Sequence, residues 1–392
     1  MEKLWKYKKI GEVCIVERGA SPRPIDKYIT DNESGINWIK IGDTSDSMYI
    51  TETAQKIIVE GMKKSRYVKP GDFLLSNSMS FGRPYILKID GCIHDGWLVL
   101  RDENALFDKR FLYYYLSSKT TYKKLKSMAV GGVVNNLNSE MVRNVIVPVP
   151  DKEEQSEIAD LFDKIKKILD DRKQELEQLD TLVKSRFVEM FGDIITGKYN
   201  YKIRKLGDVA FIGSSHRVFT TEFVESGIPF YRGTEIGELA NGIEPSEPYY
   251  ISEEHYNKLT KDNTKPRIGD LLMPSICNKG QIWMVDTDRP FYYKDGRVLC
   301  ISPNRDIFNS KYLEYFMRIK TLVEYPKLGS GSTFAEFKIF LLKDMDVLVP
   351  PRNVQNQFAD FVASVDKSKS KIQKSLEETQ RLFDSLMQKY FG

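Results

Sequence analysis

Histidine and cysteine are scarce in this chain of 392 residues, which has three histidines and four cysteines. The cysteines lie far apart and form no C-x-x-C pair, which argues against a zinc site or a disulfide framework and favours a reducing cytoplasm. Three histidines also argue against a multi-histidine metal site. No apolar run approaches the roughly 20 residues that a membrane span needs, so no membrane partner is expected.

Sequence motifs for catalysis are missing as well. The chain has no G-x-x-x-x-G-K-[ST] loop for nucleotide phosphates, no N-P-P-Y or D-P-P-Y run of adenine methyltransferases, and no glycine-rich S-adenosylmethionine loop after a strand. Glu336-Phe337-Lys338 matches the E-x-K fragment of some nucleases, but this tripeptide is common by chance. His94-Asp95 could act as a base only with a nucleophile that the sequence does not place. We therefore predict no catalytic residues, no metal and no bound cofactor.

What the sequence does contain is an internal repeat at an offset of about 200 residues. Phe191-Gly192 returns as Phe391-Gly392, and Asp95-Gly96 returns as Asp295-Gly296. Solenoid repeats are far shorter than this, so two copies imply two similar domains related by a pseudo-symmetry axis. Such a protein is suited to a partner that also repeats along its length, and duplex DNA is the leading candidate.

Each half has the same layout, a mixed region of about 150 residues followed by a helix of about 40 residues. Short β-type runs broken by Gly, Pro, Asn and Asp, with one amphipathic helix late in each region, predict an α+β fold with a strongly bent or barrel-like sheet. Prolines close each mixed region, where a helix cannot yet have begun. The predicted boundaries are 1–150 and 193–350 for the mixed domains, and 151–192 and 351–392 for the helices.

The two helices carry heptad patterns that are sustained over about five repeats. One such helix could simply cover its own domain. Residues 151–192 hold 12 acidic and 8 basic side chains, and residues 351–392 hold 5 acidic and 7 basic, so two matching helices of opposite charge favour pairing with each other. We predict an antiparallel intramolecular coiled coil, with a rise of roughly 57 Å. The predicted pairing residues are Ile158, Phe162, Ile165, Leu169, Leu176, Leu179, Val183, Phe358, Val362, Val365, Ile372, Leu376, Phe383 and Leu386.

In this doubled order of elements the chain resembles the specificity (S) subunit of type I restriction-modification systems. No single motif is diagnostic, but the order of the motifs, repeated in both halves, is highly specific. In the first half they are Ile10-Gly11-Glu12-Val13, Lys69-Pro70-Gly71-Asp72, the glycine loop 131–137, Glu154-Gln155 and Met190-Phe191-Gly192. In the second half they are Leu206-Gly207-Asp208-Val209, Ile268-Gly269-Asp270, Gly329-Ser330-Gly331 and Val349-Pro350-Pro351.

The resemblance implies a prokaryotic, cytoplasmic protein with two target recognition domains, each reading one half of a split, asymmetric site in double-stranded DNA. The long helices would space these domains and dock two DNA methyltransferase (M) subunits, through which restriction/motor (R) subunits attach. The complex would methylate adenine at N6 and cleave unmethylated DNA, with S-adenosylmethionine, ATP and Mg²⁺ used by the partner subunits. The alternative is a stand-alone DNA-processing enzyme such as a nuclease, and a third hypothesis is a coiled-coil adaptor without a nucleic-acid function.

Candidate DNA contacts are loop side chains whose chemistry suits base edges or phosphates, although each could also be an ordinary solvated residue. The formal net charge of +4 is compatible with this role but shared by many other proteins. The opening of the second half lacks the Gly-x-Ser-Pro end of the first. The resemblance implies that such domains diverge because each reads different bases, so this difference leaves the target sequence open and not the role. The candidates in the first domain are Ser21, Arg23, Lys40, Ser76, Asn77, Ser78, Arg83, Asn135 and Asn136. In the second domain they are His216, Arg217, Arg232, Ser275, Asn278, Lys279, Gln281, Ser332 and Thr333.

Overall fold

The computed structural model describes residues 5–77, 82–129, 136–199, 201–262, 265–328 and 335–392. The chain divides into two compact units, of which unit 1 is Met1–Gln174 with Gln373–Gly392 and unit 2 is Glu175–Ile372. Each unit therefore contains a segment of both long helices, whereas the sequence-based boundaries assigned each helix to a separate spacer.

Unit 1 is an α+β unit, as its sequence pattern predicts. Its strands are β1 (Lys6–Lys9), β2 (Ile15–Arg18), β3 (Ile29–Thr30), β4 (Ile36–Ile39), β5 (Tyr49–Ile50), β6 (Gln55–Ile57), β7 (Arg66–Val68), β8 (Phe73–Ser76), β9 (Pro84–Leu87), β10 (Gly91–Ile93), β11 (Trp97–Arg101) and β12 (Ile146–Val149). Its helices are α1 (Ile10–Val13), α2 (Val59–Met62), α3 (Lys109–Ser117), α4 (Lys119–Ala129), α5 (Ser139–Arg143) and the first part of α6 (Lys152–Phe191).

Unit 2 is built in the same way. Its strands are β13 (Gly192–Asp193), β14 (Lys198–Tyr199), β15 (Lys202–Lys205), β16 (Ala210–Gly213), β17 (Phe223–Val224), β18 (Ile228–Tyr231), β19 (Tyr249–Ile251), β20 (Leu271–Pro274), β21 (Trp283–Met284), β22 (Tyr292–Tyr293), β23 (Val298–Pro303) and β24 (Asp346–Val349). Its helices are α7 (Gly233–Leu239), α8 (Glu253–Leu259), α9 (Ser310–Glu324), α10 (Ile339–Lys343) and the first part of α11 (Arg352–Phe391).

The strands of each unit form two sheets and a separate ladder, rather than the one strongly bent or barrel-like sheet that we expected, and unit 2 has a second ladder, β13-β14. Unit 1 has the orders β2-β11-β8-β9-β5 and β3-β6-β4-β10-β7, and unit 2 has the orders β16-β23-β20-β21 and β17-β19-β18-β22. The ladders β1-β12 and β15-β24 are also equivalent. The two units therefore share one strand order, to which unit 1 adds an edge strand in each sheet. Splitting the strands between two sheets lets apolar side chains on several short strands face a common core.

The strand register shows that the correspondence between the two units changes by one residue at the Asp-Gly turn. Trp97 lies opposite Ser76 in β11 and β8, and Val298 lies opposite Pro274 in β23 and β20. The backbone N–H of Asn77 donates to the carbonyl oxygen of Gly96 at 2.9 Å, and that of Ser275 donates to the carbonyl oxygen of Arg297 at 2.8 Å. Gly96 of unit 1 therefore corresponds to Arg297 of unit 2, and the sequence match of Asp95-Gly96 with Asp295-Gly296 is displaced by one position.

A buried glutamine fixes the start of each long helix to the rest of its unit. In unit 1, the side chain of Gln155 accepts a hydrogen bond from the backbone of Asp108 at 2.7 Å and donates to the carbonyl oxygens of Leu106 and Pro150 at 3.1 and 2.9 Å. Gln355 makes the equivalent three bonds in unit 2. Because both amides are fully buried, each needs these partners to offset its desolvation.

Segments of the two long helices contact each other inside each unit. In unit 1, Phe162 near the start of α6 lies 5.4 Å from Phe383 and 5.7 Å from Phe391, near the end of α11, between ring centroids. In unit 2, Phe187 near the end of α6 lies 5.4 Å from Phe358, near the start of α11. These contacts join the helix segments to the aromatic residues of the cores.

The predicted pairing residues all have at least half-buried side chains. The buried ones are Ile158, Phe162, Ile165, Leu169, Val183, Phe358, Val362 and Val365, and the half-buried ones are Leu176, Leu179, Ile372, Leu376, Phe383 and Leu386. The prediction missed Phe187, Phe191 and Phe391, which are also buried. The recurrence of Phe191 as Phe391 was the available signal for those two residues.

Candidate nucleic-acid interface

Unit 2 carries a concave surface on which positively charged side chains gather. Two adjacent cavities, of about 590 and 450 Å³, share Lys294 and Arg297 in their walls. We call these two cavities together the basic groove, and define it by its five cationic residues, Arg217, Arg232, Lys294, Arg297 and Lys338. Ser275 and Gln281 also line the first cavity. Four of the sequence candidates, Arg217, Arg232, Ser275 and Gln281, therefore come together here.

The floor of the groove is made where the central strands of one sheet begin and end. Ser275 directly follows β20, Arg297 directly precedes β23, and the two are held together by their backbone hydrogen bond. The backbone N–H of Phe337 donates to the carbonyl oxygen of Ser275 at 2.7 Å, which brings the segment before α10 to the same place. Three chain segments that are far apart in sequence thus meet at one point.

A carboxylate organises this meeting point. Glu336 accepts hydrogen bonds from the Arg297 guanidinium Nη1 at 2.9 Å, from the Ser275 hydroxyl at 3.3 Å and from the Lys338 ammonium. The hydrogen bond from Lys338 and the charges of Lys338 and Arg297 hold the pKa of Glu336 below its ordinary value, against the opposing effect of burial. Glu336 is therefore an anion at neutral pH, and the cluster of Glu336, Arg297 and Lys338 keeps a net positive charge.

The remaining arginines of the groove are also held in place. Arg232 pairs with Glu235, and its guanidinium lies 4.6 Å from the ring centroid of Tyr249. The hydrogen bonds that Arg232 donates to the carboxylate of Glu235 raise the pKa of Arg232 above its ordinary value. Arg217 lies 3.6 Å from the carboxylate of Asp295. Arginines fixed in this way lose less side-chain entropy when they bind a partner.

In unit 1, three of the candidates converge on the equivalent turn. The hydroxyl of Ser21 donates to the carboxylate of Asp95 at 2.8 Å, and Arg23 pairs with the same carboxylate at 3.3 Å. The amide of Asn77 donates to the backbone carbonyl of Asp95 at 2.8 Å. The hydrogen bond from Ser21 is the main reason that the pKa of Asp95 lies below its ordinary value. Arg23 with Asp95 thus parallels Arg217 with Asp295, although the opening motifs of the two halves differ.

The other unit 1 candidates are dispersed. Lys40 donates to Gln55 at 2.7 Å, and Arg83 pairs with Asp46 at 3.1 Å. Ser76 is buried, and its hydroxyl accepts from the backbone of Arg83 at 3.0 Å. Asn136 is half-buried. Ser78 and Asn135 lie outside the described residues.

In unit 2, three candidates do not line the groove. His216 bonds through Nε2 to the carboxylate of Asp262 at 2.6 Å, and Asn278 and Lys279 are exposed in the turn that precedes Gln281. Ser332 and Thr333 lie outside the described residues. Sequence reasoning missed Lys294, Arg297 and Lys338. Lys294 and Arg297 could have been identified from the sequence because they flank Asp295-Gly296, which repeats Asp95-Gly96.

In the described part of the chain, no three or more His, Cys, Asp and Glu side chains are grouped so that they could hold a metal ion. All four cysteines are buried and unpaired, and burial raises the pKa of each thiol. Within the same described ranges, no helix combines the length and apolar character that crossing a membrane requires.

The sequence is similar to specificity subunits of type I restriction enzymes. Residues 2–179 match the family model described as the type I restriction modification DNA specificity domain. The MjaIX type I restriction enzyme specificity subunit of Methanocaldococcus jannaschii is 22% identical over 411 residues, which cover 99% of this chain and 92% of that protein. The EcoKI specificity subunit of Escherichia coli is 24% identical over 170 residues, which cover 41% of this chain and 34% of that protein.

Solved structures share the fold along the whole chain. One solved structure, described as the structural basis of complex assembly and conformational transition of the type I R-M system, has a chain that aligns with a TM-score of 0.64 at 18% identity. The alignment covers 99% of this chain and 97% of that chain. The S subunit of a type I restriction-modification system from M. genitalium aligns with a TM-score of 0.56 at 15% identity, over 99% of this chain and 96% of its own.

Proposed function

We propose that this chain is a specificity subunit of a type I restriction-modification system and that it selects the DNA sequence on which partner subunits act. The match of residues 2–179 to the specificity-domain family and the similarity of nearly the whole chain to the MjaIX specificity subunit support this proposal. The observation that carries this proposal is the basic groove of unit 2. Its cationic side chains suit phosphates and guanine edges, and its Ser and Gln side chains suit base edges.

Each unit would read its own half of a split, asymmetric site. The shared strand order of the two units supports this idea, because the same scaffold would present a different set of side chains to each half-site. At the equivalent turn, unit 1 offers Ser21, Arg23 and Asn77, whereas unit 2 offers Arg217, Ser275 and Arg297. Different donors and acceptors at equivalent positions favour different bases.

The long helices would form the antiparallel spacer of the subunit. The start of α6 contacts the end of α11 within unit 1, and the end of α6 contacts the start of α11 within unit 2, as an antiparallel pair requires. The exposed sides of these helices would dock two methyltransferase subunits, which in turn carry the restriction/motor subunits. On this proposal the partners, not this chain, bind S-adenosylmethionine, ATP and Mg²⁺, methylate adenine at N6 and cleave DNA.

The alternative of a stand-alone nuclease finds no support. Its strongest motif, Glu336-Phe337-Lys338, lies in the basic groove, but Glu336 is engaged by Arg297, Lys338 and Ser275. The relatives that match nearly the full chain are specificity subunits of type I restriction enzymes.

The proposal can be tested by replacing residues 1–150 with the corresponding domain of a relative. The altered subunit would be assembled with its methyltransferase partner, and the methylated adenines would be located by sequencing. We expect one half of the recognition sequence to change and the other half to stay the same. A change in both halves, or in neither, would contradict independent reading by the two units.

A binding measurement tests the groove itself. Substitution of Lys294 by Ala should weaken binding of the assembled complex to all duplexes alike and lower the slope of log affinity against log salt by about one, because one phosphate contact is lost. Substitution of Arg289 by Ala is the matched control, since Arg289 is 75% exposed, pairs with Glu244 and does not line the groove. Equal effects of both substitutions would show that the groove is not the DNA surface.

A further inference from the structure

We infer that Arg297 reads a guanine in the half-site bound by unit 2, and that Glu336 is a positioning residue that holds Arg297 in its reading orientation. This inference rests on the proposed function and deepens it, because it names one base and the pair of residues that selects it. No motif in the sequence marks this pair, which only the fold brings together.

Glu336 holds the Nη1 atom of the Arg297 guanidinium, and the Nε and Nη2 atoms remain able to donate hydrogen bonds to a ligand. Nη1 is 2.9 Å from Glu336, while the Arg297 side chain is 56% exposed and that of Glu336 only 18%. The backbone of Arg297 is fixed in addition by the hydrogen bond from Ser275. Within the described residues, Arg297 has no other ion pair, so Nε and Nη2 can donate to a ligand in the groove.

A base edge suits this arrangement better than a phosphate does. Guanine presents two neutral acceptors, O6 and N7, in the major groove, and the arginine fork matches their spacing. A phosphate at the same place would be attracted less strongly, because the carboxylate of Glu336 touches both Arg297 and Lys338 and cancels part of their charge. The neighbouring cations of the basic groove without such a carboxylate, such as Lys294, are better placed to contact the backbone.

Among the described residues of unit 1, the positions equivalent to Arg297 and Glu336 do not hold such a pair. The strand register places Gly96 at the position of Arg297, and Gly96 has no side chain. Asn136 takes the position of Glu336, since the residues that follow them, Leu137 and Phe337, donate equivalent backbone hydrogen bonds. At these two positions only unit 2 carries an arginine beside a carboxylate, so the loss of Arg297 should affect one half-site only.

The test uses the full-length subunit assembled with its methyltransferase partner. The recognition sequence of the unaltered complex is first determined from methylated adenines. Competition binding then uses duplexes in which each position of both half-sites is changed in turn. The variants are Arg297→Ala, Glu336→Gln, the double variant, and Arg289→Ala as the control. Glu336→Gln keeps the size and the acceptor atom but removes the charge, and thermal unfolding confirms that each variant is folded.

For Arg297→Ala we expect roughly a 10- to 100-fold loss of discrimination at one guanine, with the other half-site unchanged. For Glu336→Gln we expect a smaller loss at the same position. The double variant should discriminate no worse than Arg297→Ala, because Glu336 acts through Arg297. The control should keep the original preference at every position.

Other outcomes would overturn the inference. If Arg297→Ala weakened all duplexes alike, Arg297 would contact a phosphate. If Glu336→Gln raised the affinity for every duplex equally, its carboxylate would act only by repelling DNA. If both variants kept the base preference of the unaltered complex, Arg297 and Glu336 would not take part in recognition, and the proposed function would still stand. Failure of the unaltered complex to prefer any split sequence would instead contradict the proposed function itself.

Discussion

The buried glutamine at the start of each long helix gives a sharp test of how the helices are anchored. Gln355 is fully buried, and its amide donates to the carbonyl oxygens of Pro350 at 2.8 Å and Ile307 at 2.9 Å while accepting from the backbone N–H of Asn309 at 2.9 Å. Replacement by Leu, which is similar in size, removes all three bonds. It leaves two carbonyl groups and one N–H in the interior without this partner.

The expected cost follows from these three groups. A buried polar group that loses its partner costs about 1–3 kcal/mol, and burial of the apolar leucine offsets part of the total. We therefore expect Gln355→Leu to lower the free energy of unfolding of unit 2 by about 3 kcal/mol. Gln357→Leu is the matched control on the same helix, because Gln357 is exposed and its substitution should change stability by less than about 0.5 kcal/mol.

Hydrogen exchange followed by mass spectrometry suits this test, because it resolves the two units in the full chain. Gln355→Leu should accelerate exchange at Asn309 and in the segments of unit 2 that contact α11, while unit 1 stays protected. Gln155→Leu should give the mirrored result, with faster exchange around Asp108. The reasoning would be refuted if Gln355→Leu and Gln357→Leu had equal effects, since the buried bonds would then contribute nothing measurable.

Three further predictions concern the cores. Phe187→Ala should lower the stability of unit 2 by about 3–5 kcal/mol in denaturant unfolding, whereas Val188→Ala, at a 48% exposed position, should change it little. All four buried cysteines should stay unreactive toward a thiol reagent at pH 8 until the chain is unfolded, because burial raises their pKa values; fast labelling of the native protein would contradict this. Burial lowers the pKa of the His94 imidazole, so His94 binds a proton more readily in the unfolded state than in the folded state. The stability of unit 1 should therefore fall as the pH drops below about 6.5. If a His94→Gln variant lost the same stability over this pH range, His94 would not be the cause.

The parts of the fold that the sequence predicted are those encoded by long-range periodicity. Heptads mark α6 and α11 because one side of each helix must be apolar along its whole length, and the doubled motifs mark two similar units. The α+β class was predicted, but each unit has two sheets instead of the one strongly bent or barrel-like sheet that we expected. Strands such as β3 and β5 are two residues long, and a periodicity of two cannot be recognised over so short a run, so their assignment to separate sheets depends on tertiary contacts.

The candidate site was harder to predict because its key residues meet only after folding. Arg217 and Arg232 were chosen for their residue type and do line the groove, but Arg297 and Glu336 are far apart in sequence and no motif joins them. Sequence alignment also paired Asp295-Gly296 with Asp95-Gly96, which conceals the arginine opposite Gly96. Only the strand register, set by backbone hydrogen bonds, shows that the turn of unit 2 holds one more residue.

This one-residue slip explains how a shared scaffold can present different recognition chemistry. The Arg-Asp pair of the turn is kept in both units, as Arg23 with Asp95 and as Arg217 with Asp295, so the extra residue does not disturb the surrounding support. The residue directly before the central strand is Gly96 in unit 1 and Arg297 in unit 2, because the turn of unit 2 holds one more residue. The side chain of Arg297 is held there by the carboxylate of Glu336. An insertion at a turn leaves the strand ladders intact, since register is set within each strand pair. Recognition can therefore change at such a turn without the stability cost that a substitution in the buried core would carry.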